Sequence, residues 1–244
     1  MAGLLITATD TGVGKTTVAA ALVQTLRRRG LRVGAMKPAE SGCRRDAFGA
    51  LIAADAAQLR AAAGSVDTLE VVCPFRLEAP LAPGIAAAQE GRAIDWDVIE
   101  RCLAELQRRH PDGVVVEGAG GLLVPMDVNY GRGFGTLADL AVRLALPALV
   151  VARAGLGTIN HSVLTVQGLE SRGIACRGVL LNPLDDREAF AAKENAKAIE
   201  RLAGVPVLAV LPVLEGNSDP ERIDQLVEWL EFDGQKLDLS GLIA

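Results

Sequence analysis

The chain has 244 residues, enough for one large α/β domain or two small ones. Half of them are hydrophobic but only 3% are aromatic, so a core must be built from Ala, Val, Leu and Ile, with little left for base stacking. A formal charge of −5 argues against a nucleic-acid binder that works through a broad basic surface.

The first element is the apolar run Leu4-Leu5-Ile6, a predicted strand over Leu4–Ala8. It leads into Ala8-Thr9-Asp10-Thr11-Gly12-Val13-Gly14-Lys15-Thr16-Thr17, and a helical pattern continues to Arg29. Strand, glycine-bearing loop and helix are the context a phosphate-binding loop requires. Its backbone N–H groups, with those opening the helix, converge on phosphate oxygens. Gly12, Val13, Gly14, Lys15, Thr16 and Thr17 are therefore candidate nucleotide-binding residues. Lys15 would reach the terminal phosphates and the Thr16 hydroxyl a magnesium ion. The usual pattern opens with glycine, and Thr9 stands in that place.

A second strand, Arg32–Lys37, ends in Lys37-Pro38-Ala39-Glu40-Ser41-Gly42. Only five of the 25 basic residues are lysines, and Lys15 and Lys37 both fall beside this edge, where phosphate or substrate contact is expected. The Ala-rich stretch 50–63 reads as helix, and Asp55 within it reads, taken alone, as a solvated acid. Val72–Glu90, with Pro74, Pro80 and Pro83, reads as a long irregular connection beside the strand ends. After a helix over Trp96–Arg109, a third strand, Gly113–Glu117, runs into Glu117-Gly118-Ala119-Gly120-Gly121. An acid closing such a strand resembles the second magnesium carboxylate of phosphate-loop enzymes, and the glycines let a ligand lie against bare backbone. The segment Asp127–Gly135, with Gly131, Gly133 and Gly135, reads as an inserted flexible loop.

Further on come strands at Ala148–Arg153, Arg177–Asn182 and Val205–Leu211. Helical patterns cover Leu137–Ala145, Ile159–Ser171, Arg187–Leu202 and Pro220–Glu231, and the tail Phe232–Ala244 is weakly patterned and without an assigned role. Strands rich in Val, Leu and Ala on both faces predict a mostly parallel sheet flanked by helices. The expectation is a single doubly wound α/β domain of the phosphate-loop NTPase type over 1–244, with ligands at the carboxyl ends of its strands.

His110 and His161 lack metal-ligand spacing and read as structural, and no Ser/His/Asp arrangement stands out. Cys43, Cys73, Cys102 and Cys176 form no CxxC pair and read as buried, reduced thiols of a cytoplasmic protein. The N-terminus lacks the pattern of a secretion signal. The longest apolar stretch, Leu137–Leu156, is broken by Asp139, Arg143, Pro147 and Arg153, so no membrane span is expected.

Together these residues resemble one family, dethiobiotin synthetase, an ATP-dependent enzyme of biotin synthesis. The likeness runs from the first strand to about Asp219. It rests on Thr9-Asp10-Thr11-Gly12-Val13-Gly14-Lys15-Thr16, Lys37-Pro38-Ala39-Glu40-Ser41-Gly42 and Glu117-Gly118-Ala119-Gly120-Gly121. Ala79-Pro80 with Pro83, Ala88-Gln89-Glu90-Gly91-Arg92, and Leu156-Gly157-Thr158-Ile159-Asn160-His161 complete it, in the family's order.

The resemblance implies that 7,8-diaminononanoate, carbon dioxide and ATP react through a carbamate and a carbamic-phosphoric anhydride. It implies Lys15 and Lys37 as the catalytic residues and Thr16, Asp55 and Glu117 as magnesium ligands, which makes Asp55 functional. Thr11, Lys37, Ser41 and the turn Leu156, Gly157, Thr158 and Asn160 would meet substrate, the turn coming from the second subunit of a homodimer. Asn182, with Pro183, Pro212, Val213, Leu214 and Asp219, would surround the base, and Gly118, Ala119 and Gly120 would border the nucleotide. Two positions depart from the family pattern: Gly12 stands where some members carry an acid, and Pro183 follows Asn182.

Two other classes stand as alternatives. A partitioning-type ATPase switch that binds DNA or membrane carries a signature lysine where Asp10 stands, and tends to a basic surface or an amphipathic C-terminus. An amidotransferase-like ligase needs a glutaminase domain, for which this chain has no room. Neither nucleic acid nor membrane is an expected partner.

Overall fold

Runs of Val, Leu and Ala that lack polar alternation can be buried on both faces, and here they form a parallel sheet. The computed structural model describes residues 3–64, 67–130, 133–216, 218–234 and 237–243. Its central strands are β1 (Gly3–Ala8), β2 (Val33–Met36), β3 (Gly113–Glu117), β4 (Ala148–Arg153), β5 (Cys176–Asn182) and β6 (Val207–Val210). They lie in the order β6-β5-β4-β1-β3-β2, and every neighbouring pair is parallel.

The helices are α1 (Lys15–Arg28), α2 (Ala54–Ala62), α3 (Leu69–Val72), α4 (Pro83–Gln89) and α5 (Trp96–Arg109). They continue with α6 (Leu137–Arg143), α7 (Thr158–Glu170), α8 (Asp186–Ala203), α9 (Asp219–Phe232) and α10 (Leu239–Ile243). Side chains alternate along each strand, as a period of two requires. Leu4, Ile6, Val115, Leu149, Val151 and Leu180 meet α1, α2, α9 and α10 on one face. On the other, Leu5, Val114, Val116, Val150, Val179 and Leu181 meet α5, α6, α7 and α8. Ala19, Ala20 and Ala21 are fully buried, and small side chains on three consecutive positions let α1 sit between the sheet and α9. Among the described residues no helix is long and apolar enough to cross a membrane.

Four expectations change. The helix expected over 50–63 is confined to Ala54–Ala62 and is preceded by an antiparallel pair, Arg44–Arg45 with Leu51–Ile52. Asp46 closes the turn between them by accepting from the N–H groups of Phe48 and Ala50, so the chain enters Ala50 from a hairpin rather than a helix. The connection 72–90 is less irregular than expected: Phe75–Arg76 pairs with Ala39–Glu40, and α4 begins with Pro83 in its first turn. The segment 127–135 falls largely in an antiparallel pair, Pro125–Tyr130 with Gly133–Thr136, while residues 131 and 132, including the glycine expected at 131, lie outside the described residues. Finally, the tail contains α10, whose Leu239, Leu242 and Ile243 are buried against the α1 face of the sheet.

Of the four cysteines, Cys43 and Cys73 are buried and Cys102 and Cys176 half-buried, all with free thiols. Burial pushes each thiol above its ordinary value, which makes them poor nucleophiles. His110 is structural, its Nε2 2.7 Å from Asp67 Oδ2.

Candidate active site

Parallel register carries the strand ends to one edge of the sheet. Ile6 lies beside Glu117, Ala8 beside Val151, and Arg153 beside Asn182. At that edge α1 opens without a side-chain cap of its own. Gly14 precedes it in the left-handed region, at φ 87°. A Cβ built on Gly14 would stand 2.3 Å from Asn182 Nδ2, so this position needs glycine for both its dihedral and its space. The Asn182 side chain holds the loop in return, donating to the Val13 carbonyl at 2.9 Å, while its Oδ1 is buried with no hydrogen-bond partner.

The polar cluster at the loop's mouth is built from four elements. Lys37, just beyond β2, donates to Asp55 Oδ2 on α2 at 2.7 Å and to Glu117 Oε1 at the end of β3 at 2.5 Å. Thr16, in the first turn of α1, donates to the same Glu117 oxygen at 2.9 Å. Lys15 Nζ reaches back to the Asp10 carbonyl at 3.1 Å. Glu117 is 1% exposed and Lys37 4%, so this is a buried ion pair, with Asp55 its exposed third member at 39%.

Burial by itself lowers the Lys37 affinity for its proton, but the carboxylates of Glu117 and Asp55 outweigh it and hold the ammonium above its ordinary range. Lys15 has no such partner at contact distance. Burial pulls it down to about 8, with Glu117 opposing and the Lys37 charge assisting. Glu40 is a second buried acid nearby; burial pushes its carboxyl up, against hydrogen bonds from the backbone of Ala56 and Asp55.

A cavity of about 340 Å³ opens over this cluster, lined by Thr11, Gly12, Gly14, Lys15, Thr16, Thr17, Lys37, Asp55, Glu117 and Gly120. Gln58, Asp219 and Arg222 close its rim, with Gln58 Nε2 donating to Asp219 Oδ2 at 3.1 Å. A second cavity, about 270 Å³, adjoins it through Gly12, Gly14, Thr17 and Arg222, and is walled by Asn182, Pro183, Leu184 and Leu214.

The expected residues thus fall into three groups. The loop, Lys37, Asp55 and Glu117 share one cavity, and Asn182, Pro183 and Leu214 share its neighbour. Pro212 and Val213 line a different hollow with Trp229 and Phe232, and Asp219 belongs to the first cavity instead of the one beside Asn182. Gly118 packs against Leu137, its neighbour Ala119 lies outside the cavity lining, and Ser41 is half-buried outside it as well. Leu156, Gly157, Thr158 and Asn160 form the turn after β4: Thr158 donates to the Arg153 carbonyl, and the Leu156 side chain is fully exposed. Sequence reasoning missed Gln58 and Arg222 as rim residues, although each sits three positions after an expected acid, Asp55 and Asp219, on the same helical face.

The family model AAA_26, described as an AAA domain, matches residues 2–221. The chain is 48% identical to an ATP-dependent dethiobiotin synthetase BioD of Anaeromyxobacter dehalogenans strain 2CP-C, over 87% of this chain and 90% of that one. It is 39% identical to the protein of that description from Bacillus cereus strain G9842, over 91% and 88%. Among solved structures, the MinD cell division protein of Aquifex aeolicus covers all of this chain and 94% of its own, at a TM-score of 0.54 and 17% identity, a likeness of fold alone. Identity at these levels, over about nine-tenths of the sequence, makes the chain a member of the ATP-dependent dethiobiotin synthetase family.

Proposed function

We propose that this chain uses ATP to carboxylate 7,8-diaminononanoate and close its ureido ring, giving dethiobiotin, ADP and phosphate. One amine adds carbon dioxide and loses a proton, giving a carbamate. A carbamate oxygen attacks the γ-phosphorus as the bond to ADP breaks, leaving a carbamic-phosphoric anhydride. The second amine then attacks the carbamoyl carbon, loses its proton and expels phosphate. The observation that carries this reading is the Lys37–Asp55–Glu117 cluster at the mouth of a glycine loop, in a chain of this family.

Phosphoryl transfer to a weak nucleophile depends on positioning and on neutralised charge, and the side chains suit both. In this reading the loop N–H groups of residues 12–17 hold the phosphates, with Gly120 along their edge. Lys15 follows the terminal phosphates, whose charge keeps its ammonium protonated. Lys37 is the counter-charge of two carboxylates in the free chain and turns to the carbamate and γ-phosphate when substrates are bound.

Thr16, Asp55 and Glu117 are the candidate magnesium ligands. Glu117 Oε2 supports that assignment, being buried with no hydrogen-bond partner, and a hydroxyl with two carboxylates is a set of hard oxygen donors. Among the described residues no three His, Cys, Asp or Glu gather into an all-protein cage, which suits an ion that shares its ligands with phosphates. When bound, such an ion would neutralise phosphate charge.

Asn182, Pro183 and Leu214 are assigned to the base, the unpartnered Asn182 Oδ1 being free to accept from the exocyclic amine of adenine. Pro212, Val213, Asp219, Gly118 and Ala119 stay in the assignment as its outer margin. Thr11, Lys37 and Ser41 are assigned to the diamine. Its far carboxylate is assigned to Leu156, Gly157, Thr158 and Asn160 of a second copy, so the active form is a homodimer. The exposure of Leu156 and the uncapped opening of α7 support that role.

The test is phosphate release by the purified protein. Release from ATP is expected only with diamine, bicarbonate and magnesium together. ATPase activity stimulated by DNA or lipid vesicles and indifferent to the diamine would overturn the reading.

A further inference from the structure

We propose that Glu40 is a positioning residue for Asp55: its carboxylate, delivered from the segment that follows Lys37, caps the N-terminus of α2 and ties the two halves of the Lys37–Asp55 pair together. The inference rests on the reading of Asp55 as a metal ligand given above.

α2 lacks a side-chain cap of its own. Helices α5, α8 and α9 are each capped by their own side chain, from Asp95, Asp185 and Ser218. The corresponding residue of α2 is Ala53, which has no acceptor to offer. A helix leaves its first N–H groups without intrahelical partners, and a cap normally satisfies those of the second and third helical residues. In α2 these are Asp55 and Ala56, and Glu40 takes both: Oε1 accepts from Asp55 N at 3.1 Å and Oε2 from Ala56 N at 2.9 Å. The cap comes from fifteen residues earlier in the chain instead of from the adjacent position.

Its own backbone is fixed. Glu40 pairs with Arg76, and its carbonyl accepts from Leu77 N at 2.9 Å. Glu40 is 7% exposed, and a buried carboxylate facing the carboxylate of Asp55 is electrostatically unfavourable. A serine at position 53 would cap the helix without that burden, but it could not fasten α2 to the segment that carries Lys37. With Glu40 in place, residues 37 and 40 hold the side chain and the backbone of Asp55 respectively, and a partly exposed acid at a helix start is kept at 2.7 Å from the ammonium. Groups that orient a ligand from behind are worth roughly ten- to a hundred-fold in metal affinity.

The experiment measures manganese bound with a non-hydrolysable ATP analogue, by electron paramagnetic resonance on the full chain. Glu40→Ala should weaken manganese binding about ten-fold. In an Asp55→Ala background the same change should weaken it less than about two-fold, because the residue it acts through is gone. Glu40→Gln keeps the volume and one acceptor; it should fold like the wild type and fall between the two, which covers poor folding of the alanine variant. An equal loss in both backgrounds, or none in either, would make Glu40 a structural residue only. If the wild type itself binds no manganese with the analogue, the reading of the site fails and takes this inference with it, an outcome distinct from failure in the Glu40 variants alone.

Discussion

Two helices of this protein begin in the same way and do different things. α1 and α7 both open after a left-handed glycine, Gly14 at φ 87° and Gly157 at φ 92°, and neither has a side-chain cap. Around Gly14 the chain gathers Lys37, Thr16, Glu117 and Asp55 in one hydrogen-bonded cluster, with Lys15 beside it, and covers them with a cavity. Around Gly157 it gathers nothing comparable among the described residues: Leu156 is fully exposed, Asn160 is exposed, and the nearest atom to a Cβ on Gly157 is His161 Cε1 at 3.8 Å. A free helix N-terminus is an invitation to an anion, worth about 1 kcal/mol at a surface. Side chains from other elements of the fold surround the first with charge. In the proposed reading the second serves a site on another copy of the chain.

The largest test of this contrast falls on Lys37. Lys37→Ala should lower kcat at least about 10²–10³-fold, as removal of a charge-stabilising donor does. It should also destabilise the fold by about 3–5 kcal/mol, since Glu117 would keep a buried carboxylate without its ammonium. Chemical denaturation alongside steady-state kinetics separates the two losses. A variant as stable as the wild type would mean that Glu117 has another partner.

Next comes the pair of glycines. Gly14→Ala meets both an unfavourable φ and the Asn182 side chain, so nucleotide affinity should fall about 100-fold, by roughly 3 kcal/mol in all. Gly157→Ala meets only the unfavourable φ, a cost of about 1–2 kcal/mol, with nucleotide binding intact. Titration calorimetry with magnesium and ATP on both variants reads the difference. Equal effects on nucleotide binding would erase the distinction between the two helix starts.

How much of this was visible beforehand follows the same division. Apolar runs and helical periods locate all six central strands and the long helices to within a residue or two, because burial on both faces of a sheet writes itself into consecutive Val, Leu and Ala. The loop, Lys37 and Glu117 could be read from strand-end position. Asp55 could not: among alanines its carboxylate has no local signature, and only the long-range bond to Lys37 gives it a neighbour. Glu40 was hidden for the same reason, since a cap is normally sought next to its helix. α10 was missed because a five-residue helix holds too few positions to show a period, although Leu239, Leu242 and Ile243 share one face.

Leu156 offers a smaller but more selective effect. Its side chain touches little within its own chain, so Leu156→Asp should leave folding stability unchanged to within about 0.5 kcal/mol. The introduced carboxylate would repel the substrate's own, raising KM for the diamine about ten-fold while leaving KM for ATP alone. An unchanged diamine KM would remove the second helix start from the site.

The smallest effect is a fraction of a proton, and it belongs to the first helix start only. Burial holds Lys15 at about 8 in the free chain, so near pH 8 about half of its molecules are neutral. Bound phosphates favour the ammonium and raise that value, so ATP binding should take up roughly half a proton at pH 8 and almost none near pH 6.5, where Lys15 is already charged. Calorimetric titrations in two buffers of different ionisation enthalpy give the number directly. Lys15→Met should abolish the difference between buffers at pH 8, whereas Gly157→Ala should not alter it. Proton release in place of uptake would mean that another group titrates there, because binding a polyanion can only push a lysine's affinity for its proton upward.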